Sequence, residues 1–345
     1  MAGPSAREPR SAGNHLKRTK IILDTDMGSD VDDALCLGLA LTMPAIDLIG
    51  VTTVAGDTPC RSRITRKLLD LAGRPDIPVF TGSREPLGGK NVFFAHGAEG
   101  DGILQAGEAL ATQDEEAVVA LTRLLGEHPD AEIVAIGPLT NIARLIRDQP
   151  ETAAKIPQLT IMGGHLSEIR FGEKSFPFGI DYNLCSDPEA TEIVLRADIP
   201  TRLVTADVTM RTWLSVAGRD RLASTPGPAL DAIVRALDLW SPIQRALFER
   251  HIGSLGGNAA FLHDPLALVA AVDESFCTFE DLHILPAWRD GIFRTLEDAR
   301  GRKIRCARSV EGERFSEFFV SQLQRLDQAG VAVSASVSGG GAKRS

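Results

Sequence analysis

The sequence predicts an α/β protein: an open, mainly parallel, Rossmann-like sheet with helices on both faces, folded as a single domain. Three observations predict it. Short runs rich in β-branched residues alternate with helix-length segments from residue 20 to about residue 205. That rhythm belongs to parallel strands joined by crossover helices. At 345 residues and 43% hydrophobic composition, the chain can bury a sizeable core. No Pro/Gly-rich linker divides residues 20–332, so one domain is expected there.

Element by element, residues 20–23 form the first strand and 32–42 the first helix. Residues 47–54 are a strand, 61–72 a helix and 77–81 a strand. A helix at 115–127 precedes a strand at 132–136, and a helix at 139–147 precedes a strand at 159–162. Residues 188–196 and 201–205 repeat the helix-then-strand pattern. A long helix is expected at 231–250, a β-rich region at 278–307 and a closing helix at 313–328. Residues 1–19, rich in Ala, Gly, Pro, Ser and basic residues, read as a disordered leader, and 333–345 as a flexible tail.

The net charge of -9 argues against a nucleic-acid footprint and suits a small polar substrate or a cation. The basic residues of the first twenty positions make the remaining body more acidic still. Five widely spaced cysteines, with no CxxC pair, indicate reduced thiols and not a disulfide or zinc framework. No apolar run approaches the roughly 20 residues that span a bilayer, and the N-terminus lacks the apolar stretch of a signal peptide. The expectation is a cytoplasmic protein with no membrane partner.

In open parallel sheets, ligands bind beyond the carboxyl ends of the strands. The first predicted strand runs straight into Asp24, Asp26, Asp30, Asp32 and Asp33. Carboxylates at this density repel one another, and a hard divalent cation relieves that repulsion through oxygen ligands. Gly28 permits the tight turn that lets separate carboxylates converge. For any single member, capping of the following helix is an equally good reading. The spacing is not that of an EF-hand loop. Far along the chain, His263-Asp264-Pro265 sets an imidazole beside a carboxylate at the mouth of a predicted helix. Histidine titrates near neutrality and suits proton donation to a leaving group.

The segment Asp24-Thr25-Asp26-Met27-Gly28…Asp32-Asp33-Ala34 resembles the opening signature of the nucleoside hydrolase family, with two extra residues before the Asp-Asp pair. Further segments resemble the same family in order along residues 20–330. They are Thr52-Thr53-Val54-Ala55-Gly56-Asp57, Ile136-Gly137-Pro138-Leu139-Thr140-Asn141, Met162-Gly163-Gly164, Asp181-Tyr182-Asn183 with Asp187-Pro188-Glu189-Ala190, and His263-Asp264-Pro265. Three positions depart from the family: Asp57 replaces Asn, Asp181 replaces Glu, and Ser175 stands where an Asn often shares the 5′-hydroxyl contact.

The resemblance implies hydrolysis of the N-glycosidic bond of ribonucleosides by a calcium-bound water. It implies that Asp26, Asp33, Asp264 and the carbonyl of Ile136 hold Ca2+, with Asp26 also the general base and His263 the acid. Asp32 and Asn183 would hold the ribose 2′- and 3′-hydroxyls, with Asp57, Asp181 and His96 as further substrate contacts. Asp24 would brace the loop, and Asp187 would cap its helix. The family likeness also implies a homodimer or homotetramer. Base specificity would lie in loops near His96 and in 240–255. Three other readings stand beside this one: a hydrolase of a modified nucleoside, a non-catalytic ribose- or metal-binding homologue, and a haloacid-dehalogenase-type phosphatase. The last also opens with a strand and Asp-x-Asp, but its downstream Ser/Thr, Lys and late acidic pair cannot be assembled here.

Overall fold

The computed structural model describes residues 18–28, 30–89, 99–171, 174–176, 181–252 and 254–328. The predicted leader up to residue 17, the tail at 333–345 and His96 lie outside the described residues.

The first strand, Thr19–Thr25, shows why the sheet is covered on both faces. Ile21 and Leu23 enter one apolar cluster while Ile22 enters another, because successive strand side chains point to opposite faces. Glu132–Ala135 does the same, with Val134 on the first face and Ile133 and Ala135 on the second. Helices Asp32–Thr42, Thr58–Leu71, Pro228–Ile252, His263–Val272 and Gly312–Leu323 fill the first face. Ala117–Glu127, Thr140–Asp148 and Pro188–Arg196 fill the second.

The main sheet has ten strands. In spatial order they are Ile292–Glu297, Cys277–Arg289, Arg302–Val310, Thr201–Val204, Leu159–Met162, Glu132–Ala135, Thr19–Thr25, Ile46–Thr53, Val79–Thr81 and Gln113–Glu116. Every pairing from Arg302–Val310 across to Gln113–Glu116 is parallel. The 278–307 region resolves into an antiparallel meander that adds two strands beyond Arg302–Val310. The expected open, mainly parallel architecture is therefore the observed one.

Thr19–Thr25 pairs with Ile46–Thr53 on one side and Glu132–Ala135 on the other. The chain builds outward from the first strand in one direction, then returns to build in the other. The crevice between Thr19–Thr25 and Glu132–Ala135 is thus a topological switch point, where ligands of such sheets bind. The carboxyl ends there carry Asp24 and Asp26 from one strand and Ile136 from the other. Among the described residues, no helix is long and apolar enough to cross a membrane.

Candidate active site

The acidic segment turns out of the first strand and into the first helix, with Gly28 in the left-handed region at φ 99°. Thr25 is its inner latch: the hydroxyl donates to the Asp33 carboxylate and accepts from the Met27 N–H at 3.1 Å. The helix Asp32–Thr42 begins after Val31, whose side chain makes no capping bond. Asp30 does that work instead, its Oδ1 accepting from the N–H groups of Val31 and Asp32. The capping reading therefore fits Asp30 and leaves Asp32 and Asp33 for other work.

The second helix to arrive is His263–Val272, with Pro265 in its first turn and no side-chain cap. Its N-terminus meets that of Asp32–Thr42, so two positive helix ends face the same small volume. The Asp264 main-chain N–H donates to the Asp32 carboxylate. Carboxylate oxygens of Asp32, Asp33 and Asp264 all lie within 4.8 Å of one another, and all three residues are buried. A sequence separation of more than 230 residues closes to one ion-sized site. Asp26, only 4% exposed, is the next acid out. Burial raises the proton affinity of Asp26, Asp32, Asp33 and Asp264, and mutual repulsion adds to it for Asp32, Asp33 and Asp264. The donor set is hard, anionic and crowded, which fits a divalent cation bound through oxygen.

Ile136 sits at the carboxyl end of the neighbouring strand, its N–H donating to the Asp24 carbonyl at 2.8 Å. Gly137 follows because nothing larger fits: a Cβ there would stand 2.8 Å from the Asp26 nitrogen and 2.9 Å from its Oδ1. The Asn183 amide donates to the Ile136 carbonyl at 2.8 Å and to the Met162 carbonyl at 3.2 Å. Asn183 is therefore tied to the end of the strand that neighbours the acidic segment.

Asp181 caps the short helix Tyr182–Ser186 with Oδ1, which accepts from Leu184 N–H at 2.8 Å. Its Oδ2 is buried and has no hydrogen-bond partner among the described residues, and burial pushes the carboxyl up to about 6. His263 is half-buried, with Nδ1 2.6 Å from the Thr209 hydroxyl and its ring 5.3 Å from that of Phe261. Burial pushes the imidazole down to about 4. Asp57 is exposed, and its carboxylate caps Thr58–Leu71 through the Cys60 N–H. Asp187 caps Pro188–Arg196 and also accepts from Thr140 and Leu87.

A model of the inosine-uridine preferring nucleoside hydrolase family matches residues 21–317. The chain belongs to this family. It is an enzyme, a nucleoside hydrolase whose class splits ribonucleosides at the N-glycosidic bond. A pyrimidine-specific ribonucleoside hydrolase, RihA of Salmonella arizonae, is 34% identical over 75% of this chain and 82% of its own. An uncharacterised protein of Schizosaccharomyces pombe is 35% identical over 71% of this chain and 77% of its own. The purine-preferring ribonucleoside hydrolase of Gardnerella vaginalis superposes with a TM-score of 0.79 at 26% identity, covering 91% of this chain and all of that one.

In this hydrolase, three further residues hold the site that the motifs alone did not assign. Asn141 donates to Asp24 Oδ1 at 2.8 Å and to the Thr53 carbonyl at 3.0 Å, and accepts from Ser83 N–H. Thr52 also donates to Asp24 Oδ1. Asp24 is thus braced from a strand and a helix, although burial still pushes it up to about 7. Arg61, 1% exposed, donates to the main-chain carbonyls of Asp26, Met27 and Ala55. Thr52 and Asn141 lie inside motif segments; Arg61 lies in none.

Proposed function

We propose that the enzyme is a calcium-dependent ribonucleoside hydrolase in which Asp26, Asp33, Asp264 and the Ile136 carbonyl hold the ion. The observation that carries this is the convergence of three buried carboxylates, Asp32, Asp33 and Asp264, within 4.8 Å from opposite ends of the chain. When bound, calcium supplies the charge that acidifies a water and orients the sugar. Asp26, beside the trio, is the general base that takes the proton of the attacking water. Asp32 and Asn183 hold the ribose 2′- and 3′-hydroxyls. The partnerless Asp181 Oδ2 is the acceptor offered to the 5′-hydroxyl, and Asp57 and His96 are outer substrate contacts. Attack at C1′ passes through an oxocarbenium-like state, as in glycoside hydrolysis generally.

His263 protonates the departing base. Burial lowers its imidazole to about 4, so the proton it passes on is first taken up from solvent, as negative charge developing on the leaving base raises its proton affinity. Thr209, bonded to Nδ1, fixes which way the ring faces.

The relatives divide between pyrimidine-specific and purine-preferring hydrolases, so the test is a panel. Purine, pyrimidine and modified nucleosides are incubated with the protein, with and without chelator, and free ribose is measured. Ribose release abolished by chelator and restored by calcium is expected. Release indifferent to chelator removes the ion from the reading. No release from any nucleoside favours a ribose-binding homologue. A cytoplasmic homodimer or homotetramer completes the proposal, and light scattering of the purified protein tests the assembly.

A further inference from the structure

The helix Thr58–Leu71 carries Arg61, Arg63, Arg66 and Lys67, yet Arg61 does not reach solvent. Its Nε donates to the Ala55 carbonyl at 2.6 Å, and its Nη1 donates to the Asp26 carbonyl and, at 2.9 Å, to the Met27 carbonyl. One planar fork therefore spans two segments: the acidic loop and the turn after Ile46–Thr53. That turn is shaped for the purpose. Ala55 and Gly56 are both left-handed, at φ 64° and 66°, and their N–H groups are pinned by the carbonyls of Ser83 and Arg84 at 2.8 Å. Left-handed backbone is costly for alanine, and here it aims the Ala55 carbonyl at the guanidinium. Burying an arginine is also costly unless its donors are satisfied; these main-chain acceptors satisfy Nε and Nη1.

We propose that Arg61 is a positioning residue for the metal loop, holding the Asp26–Met27 backbone so that the Asp26 carboxylate faces Asp32, Asp33 and Asp264. Arg61 acts on the loop's main chain and touches neither substrate nor ion. The inference rests on the calcium reading above. A lysine at this position keeps the charge and loses the fork; a methionine keeps the length and loses both.

The test is calcium affinity by titration calorimetry on folded protein, well below Tm, for the native chain, Arg61→Lys and Arg61→Met. Weakening of about 10–100-fold in both variants is expected, the range for residues that orient metal ligands indirectly. Unchanged affinity, with only a lowered Tm, would reduce Arg61 to core packing and overturn the inference. Tighter binding in Arg61→Met with unchanged binding in Arg61→Lys would make it a bare counter-charge and overturn it too. If Arg61→Met fails to fold, Arg61→Lys alone decides between the first two outcomes. A native protein that binds no calcium overturns the calcium reading and this inference with it. Native binding with unaltered variants overturns the inference alone.

Discussion

The acidic crevice and the C-terminal meander use carboxylates in opposite ways. In and beside the meander, surface acids such as Asp298 and Glu274 pair with arginines. Asp298 accepts from the Arg300 main-chain N–H and guanidinium and has Arg289 nearby. Glu274 is gripped by Arg305 and Arg202. Those partners hold both carboxyls below their ordinary range. In the crevice, acids are buried beside other acids, and burial drives every one of them up. Arg61 moderates Asp26 and Asp33 while giving hydrogen bonds to carbonyls. Meander charge is settled locally and serves the fold. Crevice charge is left unsettled, the condition under which a binding site trades stability for function.

The hardest blow to that comparison is a change at Asp26. Asp26→Ala is expected to cut turnover of a nitrophenyl riboside by about 10²–10⁴-fold, the range for losing a general base, while circular dichroism stays native. Retained activity would strip the crevice of its catalytic meaning. His263→Ala is the companion: natural nucleosides are expected to lose about 10²-fold or more, the nitrophenyl riboside far less, because its leaving group needs no proton. Equal losses on both substrates would remove His263 from the acid role.

The next sharpening compares an acid from each region with and without calcium. Asp264→Asn removes one repelling charge and keeps the shape. In chelator it is expected to raise stability by about 1–2 kcal/mol; in calcium it loses the stabilisation the ion gives the native protein. Asp298→Asn is expected to lower Tm slightly and by the same amount in both conditions. Thermal denaturation of both variants decides it. A drop for Asp264→Asn in chelator would mean the crevice acids are held by partners, as the meander acids are.

The two regions also differ in how far the sequence exposed them. Strand Leu159–Met162 and helices Asp32–Thr42 and Pro188–Arg196 fall at the predicted bounds, because β-branched runs and capped apolar stretches are local signals. Gln113–Glu116 reads Gln-Asp-Glu-Glu and carries no apolar signal; its strand state comes from its neighbour Val79–Thr81. The pairs Ile169–Phe171 with Lys174–Phe176 and Trp213–Ser215 with Asn258–Phe261 are too short to announce themselves. The β-rich character of 278–307 was legible, but its antiparallel order was not, since that depends on Arg302–Val310 docking beside Thr201–Val204. In the site, five acids in ten residues were visible as charge density. Arg61 was not, because a basic residue among Arg63, Arg66 and Lys67 reads as a solvated helix face until the fold turns it inward.

The smallest expected effect is a difference of sign. Asp181 has an ordinary value of 3.8 and is raised to about 6 by burial. Between those two values the folded state holds a proton that the unfolded chain has released, so stability falls as pH rises through the window. The penalty is absent below 3.8 and complete above about 6. Asp181→Asn cannot titrate. In chelator, its Tm is therefore expected to match the native protein near the bottom of the window and exceed it above the top. Asp298 is lowered instead, so it stabilises above its ordinary 3.8 and that contribution fades as pH falls further. Asp298→Asn should then differ from the native protein at neutral pH and converge with it in acid, the reverse order. Tm measured across pH for the three proteins gives two difference curves of opposite slope if burial governs the crevice and arginine governs the meander. Parallel curves for Asp181→Asn and the native protein would show that the Asp181 carboxyl already has a partner in solution, and the 5′-hydroxyl would lose its proposed acceptor.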